Sequence, residues 1–154
     1  MPTTASMQRD ANYQVIPSNE AFLLESTWTF VTGTTGATGA HTLFTVTGNV
    51  LLTVFGVCDT SLGGAATLEV GVASNTAQLL AQIANATTLD DGDVYVDADT
   101  EVGAGLIPSM QVINDGADVI MTIGSTAVTS GVVDFYCLWR PLSAGSEVTV
   151  TTPA

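Results

Sequence analysis

The most constraining stretch of this chain is residues 45–57, TVTGNVLLTVFGV, in which two β-type segments meet at Gly48-Asn49. Side chains alternate along an extended strand. In the second segment Leu51, Thr53, Phe55 and Val57 therefore face one way, and Val50, Leu52 and Val54 the other. Both sets are apolar apart from Thr53. A strand of that kind must be covered on both faces, by a second sheet or by another subunit.

Runs of the same texture surround it. Residues 13–16 read as a short strand closed by Pro17-Ser18-Asn19, and residues 22–31 contain Thr27-Trp28-Thr29-Phe30 in period-two alternation. Residues 67–73, 94–96, 110–113, 119–123 and 132–139 continue the pattern, and residues 146–151 offer a thin edge strand or arm. Asn114-Asp115-Gly116-Ala117, set between two apolar runs, predicts a hairpin. Leu79, Leu80 and Ile83 fit a helical stripe, but their all-β surroundings favour a strand over residues 75–86. Residues 59–64 read as a turn cluster. Residues 33–41, with glycine at every third position, read as a mobile loop, because three proline-free triplets are too few for a triple helix.

Eight or nine short strands without a clear helix predict an all-β, single-domain β-sandwich or jelly roll over residues 13–154, preceded by a flexible N-terminal arm at 1–12. The expected core includes Leu52, Val54, Phe55, Val70, Val72, Ile120, Phe135 and Trp139.

Composition bears on assembly. Of 154 residues 46% are hydrophobic and only 11% charged, against about 25% charged in an average soluble domain. No run of about 18 apolar residues exists to span a membrane. The excess of low-charge surface is best reconciled by burial between subunits, in a homo-oligomer. Fifteen acids face two bases, Arg9 and Arg140, and the net charge of −13 disfavours nucleic-acid partners. The first residues lack the basic start and apolar stretch of a secretory signal. Cys58 and Cys137 form no CxxC pair and read as two small buried thiols.

Chemistry is scarce. The single histidine, His41, follows the glycine-rich loop, no G-x-S-x-G occurs, and there is no lysine for a Schiff base or a phosphate loop. No catalytic residue, cofactor site or metal site is expected, and the chain is read as a non-enzyme. The acidic residues 90–101 read as a solvated loop. Asp97, Asp99 and Glu101 have the odd spacing of calcium ligands, but Val102 and Pro108 stand where an EF-hand loop needs glycine and glutamate. Asn85-Ala86-Thr87 matches a glycosylation acceptor without a secretory signal to accompany it.

The run from Phe44-Thr45-Val46-Thr47-Gly48-Asn49-Val50 through Val72 resembles small virion structural proteins of tailed bacteriophages, as do Val112-Ile113-Asn114-Asp115-Gly116-Ala117-Asp118-Val119-Ile120 and Phe135-Tyr136-Cys137-Leu138-Trp139-Arg140-Pro141-Leu142-Ser143. The resemblance spans roughly residues 42–148 and rests on strand-and-turn texture. Within that group, size and acidity resemble the decoration, or cement, proteins that clamp capsid subunits from outside. It implies a β-rich, often trimeric protein of the virion surface, made in the bacterial cytoplasm and bound to the major capsid protein. Tyr13, Val15 and Ile16, at the end of the arm, are the residues expected to reach a neighbour by adding a strand to its sheet edge. The competing expectation is a glycan- or receptor-binding module of a head or tail fibre, which would display aromatics on loops.

Overall fold

The computed structural model describes residues 21–153, together with the backbone of two short strands before them. It is an all-β sandwich of two antiparallel sheets. The sequence reading undercounts the strands. The sandwich has eleven, and a separate two-stranded ribbon precedes it.

The ribbon pairs β1 (Met7–Arg9) with β2 (Val15–Pro17), Arg9 opposite Val15. One sheet has the order β3 (Phe22–Thr29), β12 (Ser130–Pro141), β5 (Val50–Gly63), β8 (Asp93–Tyr95), β9 (Thr100–Val102). The short β10 (Gln111–Ile113) pairs with β5 beyond the end of β8, so β5 has neighbours along both sides. The other sheet has the order β13 (Glu147–Val150), β4 (Gly39–Thr47), β11 (Val119–Gly124), β6 (Thr67–Val72), β7 (Asn75–Ile83). Residues 75–83 are thus a strand, as the all-β context requires.

The core lies between the sheets. Val50, Leu52, Val54 and Cys58 of β5 point inward beside Val133, Phe135, Cys137 and Trp139 of β12. They meet Phe44, Val46, Leu68, Val70, Met121 and Ile123 from the opposite sheet. Gly56 makes room here: a Cβ at that position would stand 3.1 Å from Val133 Cγ1, with Tyr95 and Phe135 close by. Two expected core residues lie elsewhere. Phe55 and Ile120 are only half-buried, because each falls on the outward phase of a strand whose inward phase is already complete.

Two of the turns are crossovers between the sheets. β4 and β5 do not pair across Gly48-Asn49; the turn carries the chain from one sheet to the other. The Asp115-Gly116 turn does the same for β10 and β11, so the expected hairpin is a crossover. Both residues hold positive φ, 55° and 68°, the left-handed pair that a tight turn of this hand needs. Residues 59–63 are not a turn but the far end of β5, held by pairing of Thr60 with Val132 and by Leu62 N–H donating to Leu89 O at 3.1 Å.

The glycine-rich residues 33–41 are pinned. Gly36 N–H donates to Val31 O, Val128 N–H donates to Gly36 O, and the Trp28 indole donates to Thr35 O, all at 2.9 Å. A Cβ on Gly36 would overlap Val128 O, which explains the glycine. On the opposite side of the sandwich, the buried Tyr95 hydroxyl lies 2.9 Å from Leu68 O and 2.8 Å from Ala81 O. It ties β8 to the other sheet where β7 carries an extra residue against β6.

Candidate interaction site

The outward phase of β5 and β12 builds a surface unlike the rest of the molecule. Register places Phe55 opposite Tyr136, Leu51 opposite Arg140, Thr53 opposite Leu138 and Val57 opposite Asp134. Across β3, Leu138 meets Leu23, Tyr136 meets Glu25 and Asp134 meets Thr27. On the other side Val57 meets Val94, which in turn meets Glu101, while Leu51 meets Val112.

The centre of this face is the Phe55–Tyr136 pair, stacked with ring centroids 5.2 Å apart and planes 18° from parallel. Both rings are half-buried, and Leu23 and Val112 beyond them are 58% and 60% exposed. Burial, followed by the nearby Glu25 and Asp134 carboxylates, holds the Tyr136 phenol above its ordinary range. Asp134 accepts from Thr27 Oγ1 at 2.6 Å, which fixes its carboxylate at the rim.

Part of the face is roofed by the chain itself. Thr53, almost fully buried although it points outward, donates from Oγ1 to Pro108 O at 2.8 Å. A Cβ on Gly105 would come within 3.0 Å of Val94 Cγ1 and 3.1 Å of Val96 Cγ2, so residues 103–110 run close over β8. That segment carries Leu106 and Ile107, exposed by 89% and 45%. The outer face of the other sheet is different in kind. Thr45 and Thr149 lie opposite each other there, as do Thr122 and Glu69, and Gln82 donates to Glu69 at 2.8 Å.

The residues expected to contact a partner fall at the N-terminus. Val15 and Ile16 are in β2, opposite Arg9 and Gln8 of β1, whereas Tyr13 lies outside the described residues. Among the described ladders, the ribbon joins neither sheet. What the sequence reading missed was that the outward side chains of β5, β12 and β10 make one continuous surface. The signal was the doubly apolar segment at 50–57, whose second face finds only a partial cover.

The other candidates are structural. His41 Nε2 donates to Ala37 O at 2.8 Å, and the ring stands edge-on to Trp28 with centroids 5.6 Å apart. In the acidic stretch, Asp93 accepts from Asp90 N–H at 3.0 Å and Asp97 from Asp99 N–H at 2.9 Å, so these carboxylates close their own turns. Among the described residues no group of three or more His, Cys, Asp or Glu side chains is placed to hold a metal ion. Cys58 and Cys137 are free, buried thiols. Burial pushes Cys58 up to about 11, with Asp93 contributing, and burial alone pushes Cys137 up to about 12. Neither is a reactive thiolate near neutral pH. Trp28 and Trp139 are both buried within the sandwich, not displayed on loops. No helix of the described residues is long and apolar enough to cross a membrane.

No family model and no curated protein matches the chain. Among solved structures, a chain of the cyanophage Pam1 capsid asymmetric unit is similar at 18% identity and a TM-score of 0.49, over 80% of this chain and 87% of that one.

Proposed function

We propose that this chain is a non-enzymatic virion structural protein of a tailed bacteriophage, and specifically a decoration protein that binds and stabilises the outside of the capsid. The observation that carries this reading is the apolar, aromatic-centred outer face of the β3–β12–β5 sheet, set against the threonine-rich face of the other sheet. Such an asymmetric surface belongs to a protein whose work is contact. The resemblance of residues 42–148 to small phage virion proteins supplies the setting.

The ribbon supports self-association, and the resemblance to decoration proteins favours a trimer. Two paired strands of three residues each are not stable alone in water, and a neighbour's sheet edge would complete them. Among the described ladders β3 and β13 lie at sheet edges, and such edges suit strand addition from a neighbour. In this reading residues 1–16 form the linking arm, with Tyr13, Val15 and Ile16 providing the added strand. Several such contacts on one shell gain binding strength through multivalency.

The test is deletion of residues 1–16, followed by measurement of oligomer mass and of binding to heads that lack the protein. The full chain should form an oligomer and saturate the heads, and the truncated chain should do both poorly. A full chain that stays monomeric at high concentration and ignores the heads defeats the proposal and favours a fibre module.

A further inference from the structure

We infer that the outer face of the β3–β12–β5 sheet docks on a basic-rimmed apolar protein surface, and that on the capsid this is the side turned toward the shell. This inference rests on the decoration reading above and adds to it the contacting face and the chemistry of the surface met.

The centre of the face has the properties of an interface core. The stacked Phe55 and Tyr136 rings form a platform at adjacent positions of two paired strands, so little side-chain freedom remains to be lost on contact. Aromatic residues on rigid supports are where binding energy concentrates. Leu51, Val57 and Leu138 extend that platform along the same two strands. Leu106 and Ile107 are exposed on the segment that crosses β8.

Charge decides what kind of surface fits. Three carboxylates border the platform: Glu25 beside Tyr136, Asp134 beside Val57, and Glu101 beside Val94. Among the described residues the face carries one guanidinium, Arg140, at its far end. A partner that meets this rim without leaving carboxylates opposed by carboxylates must present lysine or arginine around an apolar centre. A second copy of this chain would instead bring the same excess of acids, and the whole chain carries −13. Among the described residues the reverse face, with Thr122, Glu69, Gln82 and a half-buried Ile120, carries no stacked aromatic pair.

The experiment uses full-length protein and heads that lack it, with bound protein measured as a function of concentration and salt. Leu138→Glu places a charge in the platform and should weaken binding by about 30-fold or more. Leu138 points away from the core, so near-UV circular dichroism and melting should stay near wild type. Glu25→Lys with Glu101→Lys, both at exposed rim positions, tests the rim without touching the platform. It should weaken binding by roughly 10-fold and flatten the salt dependence. Gln82→Lys on the reverse face should bind as wild type does.

Heads that bind wild type and both variants equally well overturn the inference while leaving the decoration reading intact, with attachment through the arm alone. A drop in solution oligomer mass with Leu138→Glu also overturns it, because the face then lies between copies. A wild-type chain that fails to bind the heads removes the decoration reading itself, and the inference with it.

Discussion

The side chain of Asn49 accepts a hydrogen bond from the backbone N–H of Asp115, 66 residues later, at 3.0 Å. Through it the turn linking β4 to β5 is fastened to the turn linking β10 to β11. Gly116 N–H donates to Gly48 O at 3.2 Å alongside it. A third connection joins the same point, where Ser143 Oγ accepts from Asn49 N–H and Ser146 Oγ donates to Asn49 O. All three links carry the chain between sheets, and they hold one another. Asn49→Ala should therefore destabilise the protein by about 1–2 kcal/mol in urea unfolding, since the Asp115 N–H loses its acceptor. Asn49→Asp keeps an acceptor at that position and should cost less.

The two phases of the central strands differ in what they support. Phe135→Ala empties a fully buried site and should cost about 3–5 kcal/mol. Phe55→Ala, on the half-buried outer face, should cost less, about 1–2 kcal/mol. Equal losses in equilibrium denaturation would show that the outer face is as closely packed as the core.

Tyr95→Phe removes the hydroxyl shared by Leu68 O and Ala81 O at the β6–β7 bulge. The ring still fills its site, so the effect isolates the polar contact. A loss of about 1–3 kcal/mol is expected, from leaving buried carbonyls without that donor. Hydrogen exchange should quicken first in β7.

Alkaline pH should weaken the fold. Both thiols ionise at 9.0 in an unperturbed chain, but are held up to about 11 at Cys58 and about 12 at Cys137. Between those values the folded protein binds more protons than the unfolded one, so stability falls as pH rises. Their contribution is whole below pH 9 and is lost progressively from 9 toward 12. The buried Tyr95 phenol, raised by desolvation, adds to the same trend at the upper end. Replacing both cysteines with alanine should flatten the curve between pH 9 and 11, measured by denaturant titration at each pH.

Calcium should leave the melting temperature where a chelator leaves it. Among the described residues no group of three or more His, Cys, Asp or Glu side chains is placed to hold a metal ion, and Asp93 and Asp97 each accept from an N–H of their own turn. A melting temperature that climbs with calcium concentration, and no longer does so after Asp97→Ala with Asp99→Ala, would contradict this.

Most of the strands were legible because their cause is local. Alternation in residues 132–139 identifies β12, and its inward set, Val133, Phe135, Cys137 and Trp139, is the one found buried. Partnership was not legible. Asp115-Gly116 forms the tight turn its residues favour, yet its flanking strands belong to different sheets, a fact fixed by the pairing of Ile113 with Val50. The end of β5 was hidden for a related reason. Asp59, Thr60 and Ser61 look like a turn in isolation, and it takes distant partners, Val132 opposite Thr60, Ser130 opposite Gly63 and the Leu89 carbonyl on Leu62 N–H, to keep them extended. The candidate face lay between these cases. Phe55 was visible as an apolar residue, but its choice of solvent side over core depended on which phase of β5 met the second sheet.

The fastening at Asn49 also has a consequence in time. Its partners come from residues 115–116 and 142–146, so the joint is incomplete until β5, β10, β11 and β12 have all arrived. A chain dominated by such distant pairings folds slowly, because large loops must close before any contact rewards the closure. Bonds formed after the rate-limiting crossing act mainly on the reverse rate, so a late-forming joint lengthens the lifetime of the native state more than it hastens its arrival. Such a joint adds to the barrier against unfolding as well as to the equilibrium, and persistence of the native state rests on both.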